Sequence, residues 1–141
     1  MIKLVDLKFH HLGLASKSLS NSLNSLKKIG YKIEKIKINK NYNVRNAICK
    51  KKNFPTIEVV SKYRNKSPID NIVKKNNGDL IYHICFISKD LAKTLKIFKK
   101  KKIKFIKISH GYFSPFENML STFFYIDGFG VIEIMDKKNE K

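Results

Sequence analysis

Apolar residues recur at a four-then-three spacing twice along this chain. Leu19, Leu23 and Leu26 form one series and Leu91, Leu95 and Phe98 the other, each the stripe of an amphipathic helix. Ser18 and Gly30 bracket the first stripe as N-cap and C′ glycine, and Asp90 supplies an N-cap for the second. Each stripe follows an apolar, strand-like run, "FHHLGLA" or "LIYHICFI". Each precedes alternating sequence, "YKIEKIKI" or "IKFIKI", which predicts a further strand with its lysines toward water.

The two stretches are one pattern written twice. At an offset of 72 residues His11 falls on His83, Ser16 on Ser88, Lys17 on Lys89 and one helical stripe on the other. The halves close on matching strands, "TIEVV" and "VIEIM", which place Glu58 and Glu133 at the same point. Those glutamates are 75 residues apart, so the loops differ slightly in length. Each half therefore reads β-α-β-β-β, with module one at about 8–61, a linker at about 62–78 and module two at about 79–136 of a single domain. Ser67 and Pro68 in the linker have the character of an N-cap and a first-turn proline, so a short helix is expected there.

This arrangement has a chemical reading. One β-α-β-β-β module makes an open, curved sheet, and two side by side make a trough to which each lends a histidine and a glutamate. The two neutral imidazoles and two carboxylates of His11, Glu58, His83 and Glu133 would balance the charge of a divalent cation. The donor set suits zinc, and equally nickel, cobalt, iron or manganese. The competing reading makes the histidines core residues and the glutamates solvent-facing edges. Recurrence of both residue types in register favours the metal. Gly13 and Cys85 each lie two residues beyond a histidine, so they share its strand face, where small residues suit a trough floor. His10 faces the other way and is read as structural or exposed. His110 lies in a loop where it is a candidate substrate contact. Tyr112, Phe113, Phe116, Phe123 and Tyr125 are read as core or pocket-wall residues.

Composition changes this picture little. The chain has 141 residues, is 43% hydrophobic and carries a net charge of +19. That charge would attract anions, yet Arg45 and Arg64 are the only arginines. Arginine supplies the bidentate contacts that read bases, so no specific nucleic-acid partner is expected. Cys49 and Cys85 are too few for a disulfide framework and lie in apolar runs, which fits a reduced, cytoplasmic protein. No apolar stretch is long enough to span a bilayer, and the opening residues lack a signal peptide's apolar stretch, so no membrane partner is expected.

"FHHLGLA", "KSPIDNIVKKNNGDLIYHICF" and "GVIEIMD", in that order, resemble the vicinal oxygen chelate superfamily, which includes glyoxalase I and methylmalonyl-CoA epimerase. The resemblance implies an α+β glyoxalase-like fold, two tandem βαβββ modules forming a curved mixed sheet around a metal site. It puts His11, Glu58, His83 and Glu133 on the metal-ligand positions. It further implies a metal-dependent isomerase or lyase that promotes proton transfer next to a chelated carbonyl of a small molecule, a CoA thioester or a glutathione-type adduct. Glu133 is then the first choice for the catalytic base and Glu58 the second. Related proteins often pair, so the resemblance also implies a homodimer. The alternatives are a non-catalytic small-molecule-binding member of the fold and an extradiol-type dioxygenase. One departure stands out: Asn46 lies near the position where the epimerases carry a further glutamate, and an amide cannot take up a proton as a carboxylate does. The loop "SHGYFSPFENM" also differs from the family's Gly-rich one.

Overall fold

A computed structural model describes residues 5–140 except His110 and Pro115, with nothing described for the side chains of Tyr112 and Glu140. The chain divides into two compact units, His11–Tyr82 and His83 onward together with the residues before His11. Each is built from strands and helices in the order the repeat predicts, so the fold class is α+β.

In the unit His11–Tyr82, strand β1 (Leu7–Ser16, whose first four residues belong to the other unit) leads into helix α1 (Leu19–Ile29). Strands β2 (Lys32–Asn39), β3 (Val44–Lys50) and β4 (Ile57–Lys62) follow in a meander. The strand order is β2-β3-β4-β1, antiparallel except for the parallel β4–β1 pair. The expected caps are present. Ser18 Oγ accepts from the Asn21 amide, and Gly30 adopts φ +108° while its N–H and that of Tyr31 satisfy the Leu26 carbonyl. Leu19, Leu23 and Leu26 pack on Ala47, Cys49 and Val59, which fixes the sheet face that α1 covers. Helix α2 (Pro68–Lys75) starts at Ser67 with a full capping box closed by Asp70. It buries Ile69 and Val73 against Ala15, Val44 and Val60, which lie on the opposite sheet face.

The second unit repeats this plan with β5 (Leu80–Ser88), α3 (Leu91–Lys100), β6 (Phe105–Lys107), β8 (Met119–Ile126) and β9 (Gly130–Glu140). A two-residue strand, β7 (Tyr112–Phe113), is added beside β8. The order is β5-β9-β8-β6, with β5 and β9 parallel. Phe98, Phe124, Ile132 and Ile134 form its main core. The correspondence extends to buried polar pairs: Ser16 Oγ lies 2.6 Å from Ser22 Oγ, and Ser88 Oγ lies 2.8 Å from Thr94 Oγ1, each joining the first strand to the helix that follows it.

Helix α3 ends differently from α1. Where the first repeat has Gly30 the second has Lys102, forced to φ +58°. A side chain there costs about 1–2 kcal/mol relative to right-handed backbone. Lys102→Gly should therefore raise stability by up to about 1 kcal/mol in urea unfolding, whereas Gly30→Ala should lower it. The alanine Cβ would also approach Lys51 Cε to 3.2 Å.

Three expectations need correction. The strand read from "IKFIKI" is only Phe105–Lys107, because the Ile103 amide is instead taken by the Phe98 carbonyl at the end of α3. Lysines are also not the only residues turned to water in the alternating segments: Ile36 is 53% exposed and Ile106 66% exposed. Strands β2 and β6 end their units' strand orders, so among the described residues each has a strand neighbour on one side only. Phe113 and Tyr125 are likewise exposed rather than core.

Candidate metal centre

Each unit contains one buried His–Glu pair, and the register explains how it forms. In the parallel β1–β4 pair Gly13 lies opposite Glu58, and in β5–β9 Cys85 lies opposite Glu133. Histidine and glutamate thus share a face in each unit, His11 with Glu58 and His83 with Glu133. His11 Nε2 is 3.4 Å from Glu58 Oε2, and His83 Nε2 is 3.2 Å from Glu133 Oε1. All four residues are at most 9% exposed. The reading in which the glutamates face water is therefore wrong. A carboxylate inside an apolar strand stays buried only with polar partners.

Each carboxylate has a second partner. Asn46 Nδ2 donates to Glu58 Oε1 at 2.7 Å, and the Ser121 hydroxyl donates to Glu133 Oε2. Asn46 and Ser121 are both buried, and each sits 12 residues before its glutamate on the neighbouring antiparallel strand. Asn46 was singled out from the sequence for the proton it cannot take; its place shows what it does, which is to hold Glu58. Ser121 was missed. The signal was available, because Ser121 lies at the same 75-residue offset from Asn46 as Glu133 does from Glu58. In the second unit the His83 ring also meets Phe123 edge-on at 5.0 Å between centroids.

The donor chemistry fits a divalent cation. Nitrogen and oxygen ligands about 2.0–2.2 Å from one ion lie roughly 3.0–3.5 Å from each other. The 3.2 and 3.4 Å separations within the two pairs are in that range. Asn46 and Ser121 each fix one carboxylate by a hydrogen bond from the neighbouring strand.

The remaining candidates divide. His10 is half-buried with Nε2 3.4 Å from Glu117 Oε1. His110 lies outside the described residues. Cys49 and Cys85 are buried and neither forms a disulfide. Burial pushes the Cys49 thiol up to about 11. Iodoacetamide should therefore modify Cys49 in the native protein more than about 100-fold more slowly than an exposed thiol at pH 8, and mass mapping would show this. The same shift favours the folded state below the unfolded thiol's pKa, and this contribution fades as pH rises from about 9 to 11. Among the described residues, no helix is long and apolar enough to cross a membrane.

Comparison with known proteins agrees with this architecture. Residues 10–123 match the model of the glyoxalase/bleomycin resistance protein/dioxygenase superfamily. No curated protein matches the chain. Among solved structures, methylmalonyl-CoA epimerase from Mycobacterium tuberculosis superposes with a TM-score of 0.74 at 16% identity, over 96% of this chain and 92% of that one. A hypothetical protein from Bacillus halodurans reaches 0.78 at 18% identity, over 96% and 97%. A variant Streptomyces coelicolor methylmalonyl-CoA epimerase in complex with 2-nitronate-propionyl-CoA reaches 0.68 at 16% identity, over 92% and 96%. At these identities the structures speak for the fold. With the family model spanning most of the chain and the repeated βαβββ plan in both units, the protein belongs to the glyoxalase/bleomycin resistance/dioxygenase superfamily, of the vicinal oxygen chelate fold.

Proposed function

We propose that His11, Glu58, His83 and Glu133 together hold one divalent metal ion, and that the protein is a metal-dependent isomerase or lyase acting next to a carbonyl. Both modules then form one glyoxalase-like domain. The observation that carries the reading is the repeated, buried His–Glu pair, each with its own hydrogen-bond donor on the neighbouring strand. The Streptomyces neighbour in complex with an acyl-CoA analogue supports a CoA thioester as the first substrate class to try, with glutathione adducts second.

A bound divalent ion would supply Lewis acidity toward a substrate carbonyl and make the adjacent C–H acidic. The chain's own residues must then move the proton. Glu133 is better placed than Glu58 for this. Its partner Ser121 has a hydroxyl that can both donate and accept, so it can serve Glu133 in either protonation state. The Asn46 amide nitrogen only donates, and it holds Glu58 as an acceptor. An epimerase with a base on each face of the carbon would need a carboxylate where Asn46 stands, so a one-base proton transfer fits this site better than methylmalonyl-CoA epimerisation.

The test is metal content joined to exchange chemistry. Elemental analysis of purified protein should find about one divalent ion per chain. Incubation in D₂O with acyl-CoA thioesters and glutathione hemithioacetals should label the α-carbon of a substrate. Bound metal with no labelling of any carbonyl compound would turn the assignment to the binding or dioxygenase members of the family.

A further inference from the structure

The internal repeat exposes a second site, on the other face of the first unit's sheet. Residue pairing in β3–β4 sets Asn46, Ile48, Glu58 and Val60 on one face and Arg45, Ala47, Val59 and Ser61 on the other, the face covered by α1. Arg45 lies directly opposite Ser61, beside the N-terminal turn of α1. Together with Lys17, Ser18, Ser20 and Lys62 they line a cavity of about 440 Å³.

The equivalent place in the second unit is built with opposite charge. There Leu120 lies opposite Asp136, where the first unit has Arg45 opposite Ser61. Asp136 is buried, and its Oδ1 accepts from the Leu91 amide at 3.2 Å in the first turn of α3. A helix N-terminus presents unpaired N–H groups and partial positive charge, and in the second unit the protein answers these with its own carboxylate. In the first unit the carboxylate is replaced by a hydroxyl and the leucine by a guanidinium.

Some polar groups there are already engaged, Ser18 Oγ by the Asn21 amide and the Lys17 amide by Asp79 Oδ1 at 2.6 Å, but two are not. Ser61 is 2% exposed, and its Oγ has no hydrogen-bond partner among the described residues. Its neighbour across β1, Ser16, is engaged with Ser22 instead. Arg45 Nε is also buried without a partner among the described residues. No carboxylate is among the described residues lining the cavity, and the first turn of α1 contains no acidic residue. A buried hydroxyl and a buried guanidinium N–H without protein partners are costly unless water or a ligand satisfies them. Three cationic side chains, several hydroxyls and a helix N-terminus together suit a phosphate group.

We propose that this cavity binds a phosphate group, free or as a phosphate monoester, which supplies to α1 the anionic oxygen that Asp136 supplies to α3. The site is distinct from the His–Glu pairs and does not depend on the reading given to them.

An amide NMR titration with inorganic phosphate, at constant ionic strength so that general attraction to the +19 chain is held fixed, tests this. Saturable shifts are expected at Leu19, Ser20, Arg45 and Ser61. Arg45→Gln should weaken binding at least tenfold. Ser61→Asp should weaken it at least tenfold while keeping or raising Tm, because it installs the carboxylate that the second repeat already uses. Lys107→Gln, in the other unit, should leave the affinity unchanged. A parallel titration with glycerol 3-phosphate separates the sources: tighter binding assigns a phosphorylated small molecule, equal binding free phosphate. Unsaturable shifts spread over the lysines, or an affinity in both cavity variants within twofold of wild type, would overturn the proposal.

Discussion

His11→Ala and His83→Ala should each weaken divalent-metal binding by more than about 100-fold, exceeding the roughly 10–100-fold loss typical when a residue that only orients a ligand is removed. The argument is one of donor count and burial. Each histidine is buried with its Nε2 against a glutamate, so alanine removes a donor and leaves a buried carboxylate with one polar partner fewer. Asn46→Ala and Ser121→Ala make the comparison quantitative. They keep all four proposed ligands and should lose only about 10–100-fold, through poorer orientation of Glu58 and Glu133. Competition with a chelator of known affinity measures all four variants on one scale. Metal affinity in the two histidine variants equal to that of wild type would eliminate the site.

The second large effect is expected at Glu133. Glu133→Gln keeps an oxygen donor for the metal but cannot carry a proton. Deuterium exchange at the substrate α-carbon should therefore fall by about 10²–10⁴-fold. Metal content should fall far less. Glu58→Gln should slow exchange less than Glu133→Gln, because the Asn46 donor already keeps Glu58 in the acceptor role. Equal exchange in wild type and Glu133→Gln would remove Glu133 as the base. The reverse order of the two variants would transfer the role to Glu58. Placing glutamate at position 46 extends the test, since a two-base epimerisation requires a carboxylate on each face of the carbon and Glu133 supplies only one. Raised epimerisation in Asn46→Glu would show that the amide is what separates this chain from that reaction.

Much of the molecule was legible from its residues because the relevant physics is local. The Leu19, Leu23 and Leu26 stripe sets a helix, Ser18 starts it and Gly30 stops it, each acting within a turn or two of chain. The same holds for Asp90 and for Ser67 with Pro68. The repeat extended that reading across the chain. With a side-chain period of two, an identical placement in matching strands puts His11 and Glu58, or His83 and Glu133, on corresponding faces. The Ser121 role could have been read the same way, since its offset from Asn46 equals that of the glutamates.

What the sequence determined by itself was therefore periodic and local: two copies of one module, their helix limits, and the histidines and glutamates that recur in them. Tertiary structure decided whatever depends on which strand lies beside which. Ile36 and Ile106 are exposed because β2 and β6 end their units' strand orders, and no alternation of residues announces which strand is last. The donation of Asn46 to Glu58, and the meeting of Arg45 with Ser61 at the start of α1, likewise arise between residues 12 or more positions apart. Such pairings are set by turn length and by the hydrogen-bond ladder across strands. A shift of one residue in that register would send every one of these side chains to the other face.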